Sequence, residues 1–184
     1  AYVVYQWLSE VILYSVQALA GAIGLLVFTA VIQAITFIVI PLRLFCLAGS
    51  NLLLGAFLVA LVALASLSHP SVRPEMFSFL MTAVLLELLA RLSKRGSAQA
   101  IDWSFVVLAF VLQILWTNLH CLFIFYFILV GYFIFCLGSY SVIKKEKFDG
   151  RLKTALFAFF AGTLATCVNP YGFSIWPFTF LMLS

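Results

Sequence analysis

Charge is what this sequence has least of: Asp, Glu, Lys and Arg make up 9% of its 184 residues, against about 25% in soluble domains. That shortage excludes a water-soluble globular domain. Histidine is scarcer still, with His69 and His120 alone. Neither sits inside an apolar run as a haem or chlorophyll ligand must. The four cysteines, Cys46, Cys121, Cys136 and Cys167, form no CxxC and no metal-ligand spacing. They read as small core hydrophobes, so no metal and no cofactor is expected. A Gly-rich phosphate loop, a paired-carboxylate motif, HExxH and a nucleophile elbow are all missing, so no reaction follows from a motif. No basic segment or cleavage pattern marks a removable signal peptide. The chain starts at Ala1 and stops inside the apolar stretch 178–183, which reads as two cuts in a longer polypeptide.

What is present is apolar. Hydrophobic residues make up 66% of the chain, twenty residues are Phe, and the mean hydropathy is +1.22. The expectation is an all-α, polytopic transmembrane bundle, one membrane domain over 1–184 with membrane lipids as its surroundings. The net charge of +4 is then a topology signal rather than a nucleic-acid footprint.

Along the chain, 1–20 is apolar but carries Gln6, Glu10 and Gln17 on one face, which predicts a helix lying in the interface or packed on the bundle. After Gly21 and Gly24, six apolar runs suit spans at about 23–42, 52–67, 76–92, 103–116, 119–137 and 154–168. Residues 173–184 read as an interfacial segment or the start of a seventh span. Pro41 and Arg43 mark the exit of the first span, and Pro70 and Pro74 forbid a helix between the second and third. Read as one helix, 101–139 would be roughly 58 Å long, nearly twice a bilayer core. A turn is therefore expected at Trp116, Thr117, Asn118, Leu119 and His120.

The positive charges fall on alternate loops. Arg43, then Arg91, Lys94 and Arg95, then Lys144, Lys145, Lys147, Arg151 and Lys153 share one side, and Arg73 alone lies on the other. The basic loops are expected in the cytoplasm. The first helix, the 69–75 loop, the 116–120 turn and the 169–172 turn then gather on the opposite face. Most of the few titratable groups outside the basic loops, Glu10, His69, Arg73, Glu75 and His120, could share a vestibule there.

Each candidate has two readings. His120 either caps a helix or meets substrate or a proton. Asn118 suits the N-cap of the fifth span. Arg73 either snorkels or binds an anion, and Glu10 is either solvated or a base. Asn169, Pro170, Tyr171 and Gly172 form a helix stop, with Tyr171 as an interface anchor. Glu87 and Arg91 make a structural i,i+4 pair.

Four blocks, Trp7-Leu8-Ser9-Glu10-Val11-Ile12-Leu13-Tyr14, Val72-Arg73-Pro74-Glu75-Met76-Phe77, Leu115-Trp116-Thr117-Asn118-Leu119-His120 and Ala165-Thr166-Cys167-Val168-Asn169-Pro170-Tyr171-Gly172, resemble in order and spacing large bacterial multi-span proteins. Those proteins are similar to GT-C-type glycosyltransferases, which take sugars from polyprenyl-phosphate carriers on the extracytoplasmic face. The resemblance implies a bacterial inner-membrane protein with a lipid-linked sugar as substrate. Arg73 would meet the phosphate, and His120 with Asn118 would orient sugar or acceptor. Glu10 would be the base, and His69, Asn169 and Tyr171 would complete the binding set. The sequence departs from the family pattern at Gln6 and at Cys121-Leu122, and the first outer loop that carries the family's catalytic acid has no counterpart here. The alternative is a non-catalytic subunit of a larger membrane complex, respiratory or photosynthetic, with other membrane subunits as partners. A transporter reading lacks an inverted repeat.

Overall fold

A computed structural model of the chain describes residues 6–66, 72–96, 100–145 and 149–183. Among them every element is helical: α1 (Trp7–Ala34), α2 (Ile40–Ala48), α3 (Leu52–Ser66), α4 (Glu75–Lys94), α5 (Trp103–Leu119), α6 (Ile124–Lys144), α7 (Gly150–Ala165) and α8 (Ile175–Leu183). Three stretches, Trp7–Ala48, Glu75–Lys94 and Cys121–Lys144, are long and apolar enough to cross a membrane. Leu52–Val62, Trp103–Leu119 and Gly172–Leu181 are apolar but shorter. This is the architecture of an integral membrane protein: backbone groups are satisfied within helices, as lipid requires. Hydroxyls inside the helices obey the same rule, Thr29, Thr36, Thr82, Ser141, Thr154, Thr163 and Thr179 each donating to the carbonyl four residues back.

Helix α1 does not end before the first expected span. It bends inside its length at Gly21, whose φ of 62° and ψ of −164° are open to a residue without a Cβ. Leu8, Ile12 and Leu13 before the bend and Phe28 and Ile32 after it all pack on Met76, Phe77 and Leu119. Twenty helical residues would separate Leu8 from Phe28 by about 30 Å in a straight rod, so the bend is what returns both halves to one cluster. Pro41 does not terminate the first span either. A single π-helical turn, Ile35–Val39, precedes it and joins α1 to α2, widening the helix where proline removes a donor. The stop comes at Gly49, left-handed at φ 67°.

The core lies among α4, α5, α6 and α7. Leu85 and Leu89 of α4, Ala109, Leu112 and Trp116 of α5, Tyr126 and Val130 of α6 and Ala158 of α7 form one buried cluster, joined by Phe123 and by Ile175 of α8. Helix α7 enters the core with a face of small residues, Ala155, Ala158, Gly162 and Ala165 being buried along one stripe. Small residues at that spacing allow close helix approach, the main source of association where lipid offers no hydrophobic gain. Tyr126 exploits it by donating to the Ala158 carbonyl at 2.8 Å. Helix α3 is held chiefly through α2, where Gly55 receives the Phe45 ring, and exposes Leu53, Phe57 and Leu64.

The alternation of charged loops reappears as one basic end. Arg43 of α2 and Arg91 of α4 both pair with Glu87, at 2.9 and 2.6 Å. Arg95 pairs with Asp102, and Arg151 donates to the Ser93 carbonyl at 3.1 Å. Asp102 caps α5 by accepting from the Phe105 N–H, while its own N–H donates to Thr154. Burial alone would raise its pKa. The bonds from Ser104 and from the Phe105 amide, with the charge of Arg95, bring the carboxyl below the usual value.

Candidate functional site at the polar end

The opposite end is built from the start of α1, the start of α4, the join of α5 to α6 and the segment after α7. The join is tighter than the sequence implies. Trp116, Thr117, Asn118 and Leu119 all remain helical, and the break is His120 alone, extended at φ −163° and ψ 151°. A short 3-10 turn, Cys121–Phe123, then leads into α6. One extended residue suffices because the His120 ring caps the next helix, Nδ1 accepting from the Leu122 N–H at 3.3 Å.

Asn118 therefore does not cap the following helix as expected. It lies in the last turn of α5 and ties three elements together. Its amide donates to the carbonyls of Ile114 and Val168, both at 2.8 Å. Its Oδ1 accepts from the Trp7 indole at 2.8 Å. Both amide hydrogens are thereby used, and a ligand could reach only the second lone pair of Oδ1.

Beneath it runs a buried chain of three side chains. The Trp116 indole donates to Ser78 Oγ at 3.0 Å, and Ser78 Oγ lies 3.0 Å from His120 Nδ1. With the indole and the Leu122 amide acting only as donors, Ser78 must donate to Nδ1. The hydrogen-bond pattern thus assigns the neutral tautomer carrying its proton on Nε2. Burial lowers the His120 pKa, and the carboxylate of Glu75 opposes that shift. Ser78, one of two hydroxyls with Thr82 in the apolar stretch of α4, carries no motif that singles it out in the sequence. Its presence on the buried face one turn after Glu75 is the only signal that could have marked it.

Asn169 holds the turn after α7, where its amide donates to the carbonyls of Thr166 and Gly172 and its Oδ1 accepts from the Tyr171 N–H at 2.7 Å. This is an Asx turn, which satisfies backbone left over at the helix end. Tyr171 packs against the core cluster.

Between these parts opens a groove of about 540 Å³. Trp7 and Leu8 form one wall, Ile114, Leu115 and Asn118 another, and 167–170 the third. It unites Asn118 and Asn169 from the expected set. His120 lies in the buried network beside it rather than in its lining. Glu10 is exposed and accepts from Gln6 at 3.3 Å. Arg73 is exposed, makes no ion pair with a described residue, and like Glu10 is not among the lining residues. His69 lies outside the described residues. The groove can therefore offer an apolar slot, an indole face and two amide carbonyl oxygens, but its described lining holds no carboxylate and no guanidinium. No protein-family model, curated protein or solved structure matches the chain.

Proposed function

We propose that this chain is part of a GT-C-like glycosyltransferase scaffold whose groove at the polar end holds a lipid-linked phosphosugar on the extracytoplasmic side of a bacterial inner membrane. One observation carries the reading: an open groove with apolar walls has Trp7 and the carbonyl oxygens of Asn118 and Asn169 at its edge. Leu8, Ile114 and Leu115 suit an isoprenoid chain. An indole stacks on the C–H face of a sugar, and amide oxygens accept from its hydroxyls. Arg73, exposed near the same end, is the cation available to the phosphate. The first half of α1, bent at Gly21, lies along the interface in this arrangement, and the excess of positive charge puts the other end in the cytoplasm. Sugar binding, rather than acid or base chemistry, is what these side chains supply.

The test is native mass spectrometry of the detergent-solubilised protein with a polyprenyl-phosphate-linked sugar and with phosphatidylcholine. Retention of the first in preference to the second is expected, as is its loss in Leu115→Trp, which fills the slot from an exposed position. Equal retention of both lipids, or an unaffected Leu115→Trp variant, would overturn the reading. The second reading, a non-catalytic subunit of a larger membrane assembly, is favoured by the peripheral position of α3, whose outward Leu53, Phe57 and Leu64 could meet a partner helix as well as lipid. Purification with another subunit at fixed stoichiometry would support it.

A further inference from the structure

A second cavity lies at the basic end, far from the groove, and has different chemistry. It holds about 350 Å³ between α2, α4 and the start of α5. Arg43, Arg91 and Arg95 line it with Glu87 and Asp102, leaving one positive charge in excess. The three arginine side chains are more than half exposed, whereas the two carboxylates are largely buried, at 13% and 12%. The carboxylates thus act as fixed posts. Arg43 uses only Nη2 on Glu87, Arg91 uses Nε and Nη2 on the same oxygen, and Arg95 uses Nη1 on Asp102. The remaining guanidinium donors have no partner among the described residues. Three arginines from two elements are held at one rim with donors to spare, the arrangement that binds phosphate oxygens in pairs.

The rest of the cavity is apolar. Val84, Leu88 and Leu92 line it at i,i+4 spacing along α4, a strip about 12 Å long. Phe105 and Leu108 of α5 face the same space. A free phosphate would use the arginines and none of this strip. An acyl chain under an anionic headgroup would use both.

We propose that this cleft is a binding site for an anionic phospholipid, its phosphate on Arg43, Arg91 and Arg95 and one acyl chain along Val84, Leu88 and Leu108. The lipid would bridge α2 to α5, fastening the outer α1 to α3 unit to the core helices. Basic pockets between membrane helices recognise headgroups in this manner.

The test compares phosphatidylglycerol with phosphatidylcholine of identical acyl chains, bound to the purified full chain and counted by native mass spectrometry. Preferential retention of phosphatidylglycerol is expected. Arg43→Gln and Arg95→Gln should each reduce the phosphatidylglycerol-to-phosphatidylcholine ratio about fivefold. Because the ratio is read within one variant, a general loss of stability cancels. Leu108→Trp, which narrows the strip without changing charge, should reduce retention of phosphatidylglycerol while leaving the melting temperature in lipid-free detergent unchanged. Equal retention of the two lipids would overturn the proposal. Displacement of phosphatidylglycerol by millimolar inorganic phosphate would do the same, since it would show a free-anion site.

Discussion

Replacing Ser78 by alanine tests the buried network at the polar end. The hydroxyl is 1% exposed, its donor Trp116 is fully buried and its acceptor His120 is 6% exposed, so water cannot substitute for it. The variant leaves the Trp116 indole N–H without the partner it has at 3.0 Å. His120 Nδ1 keeps the Leu122 amide and is not orphaned. One stranded buried donor costs about 1–3 kcal/mol in proteins generally. Hydrogen bonds between membrane helices average nearer ~0.6 kcal/mol, because the unfolded chain in lipid also finds partners. A loss of about 1–2 kcal/mol is therefore expected. Trp116→Phe removes the donor from the other side, but it also opens a cavity, so the two variants should be joined in a double-mutant cycle. Reversible unfolding in mixed micelles should yield a coupling of about 0.6–1.7 kcal/mol. Removing the hydroxyl also removes a bond made to the neutral imidazole, so the His120 pKa measured by NMR should rise in Ser78→Ala. Strict additivity of the two variants, or an unchanged His120 titration, would refute the network.

Burial holds His120 below its ordinary value of 6.5 despite Glu75, so the unfolded chain binds the proton first as pH falls. Stability should decline from pH 6.5 downward until the folded ring titrates. A pH series of unfolding should lose that slope in His120→Asn, whose Oδ1 can accept from Leu122 without titrating. A Cβ at Gly162 would enter the Tyr126 ring, with the phenol oxygen 2.9 Å away. Gly162→Ala should therefore destabilise by about 1–3 kcal/mol in the same assay. Asp102→Ala should cost about 1 kcal/mol through loss of the α5 cap, and Asp102→Asn, which keeps an acceptor for Phe105, should cost less. Cysteines placed at Lys94 and Glu10 in an alanine-for-cysteine background should label from opposite sides of membrane vesicles, and labelling from one side would contradict the proposed topology.

Helix identity was plain in the sequence because apolar runs and their charged or proline-rich separators carry it directly. The apolar runs at 52–67 and 76–92 are the helices Leu52–Ser66 and Glu75–Lys94, of which the second is long enough to cross a membrane. Charge counting also foretold which helix ends meet, and Arg43, Arg91, Arg95 and Arg151 do gather at one end. The errors arise where one residue type serves two backbone roles. Asn118 reads as an N-cap, yet a helix can extend through it when a distant carbonyl, that of Val168, and the Trp7 indole take its side chain. Pro41 reads as a helix stop, yet a wide π turn absorbs it. Ser78 meets His120 across 42 positions, and no local spacing encodes that contact. The groove is likewise a product of three segments far apart in the chain, so its apolar character emerges only once Trp7, Leu115 and 167–170 are side by side.

What occupies that groove is tested most directly by a photo-crosslinking amino acid at Leu115 in living cells. A second probe at Phe160, which is 66% exposed on α7 and outside the groove lining, samples the surrounding lipid. Mass spectrometry of the adducts should find polyprenyl-phosphate-linked sugar on the Leu115 probe and bulk phospholipid on the Phe160 probe. The same bulk phospholipid on both would contradict the claim.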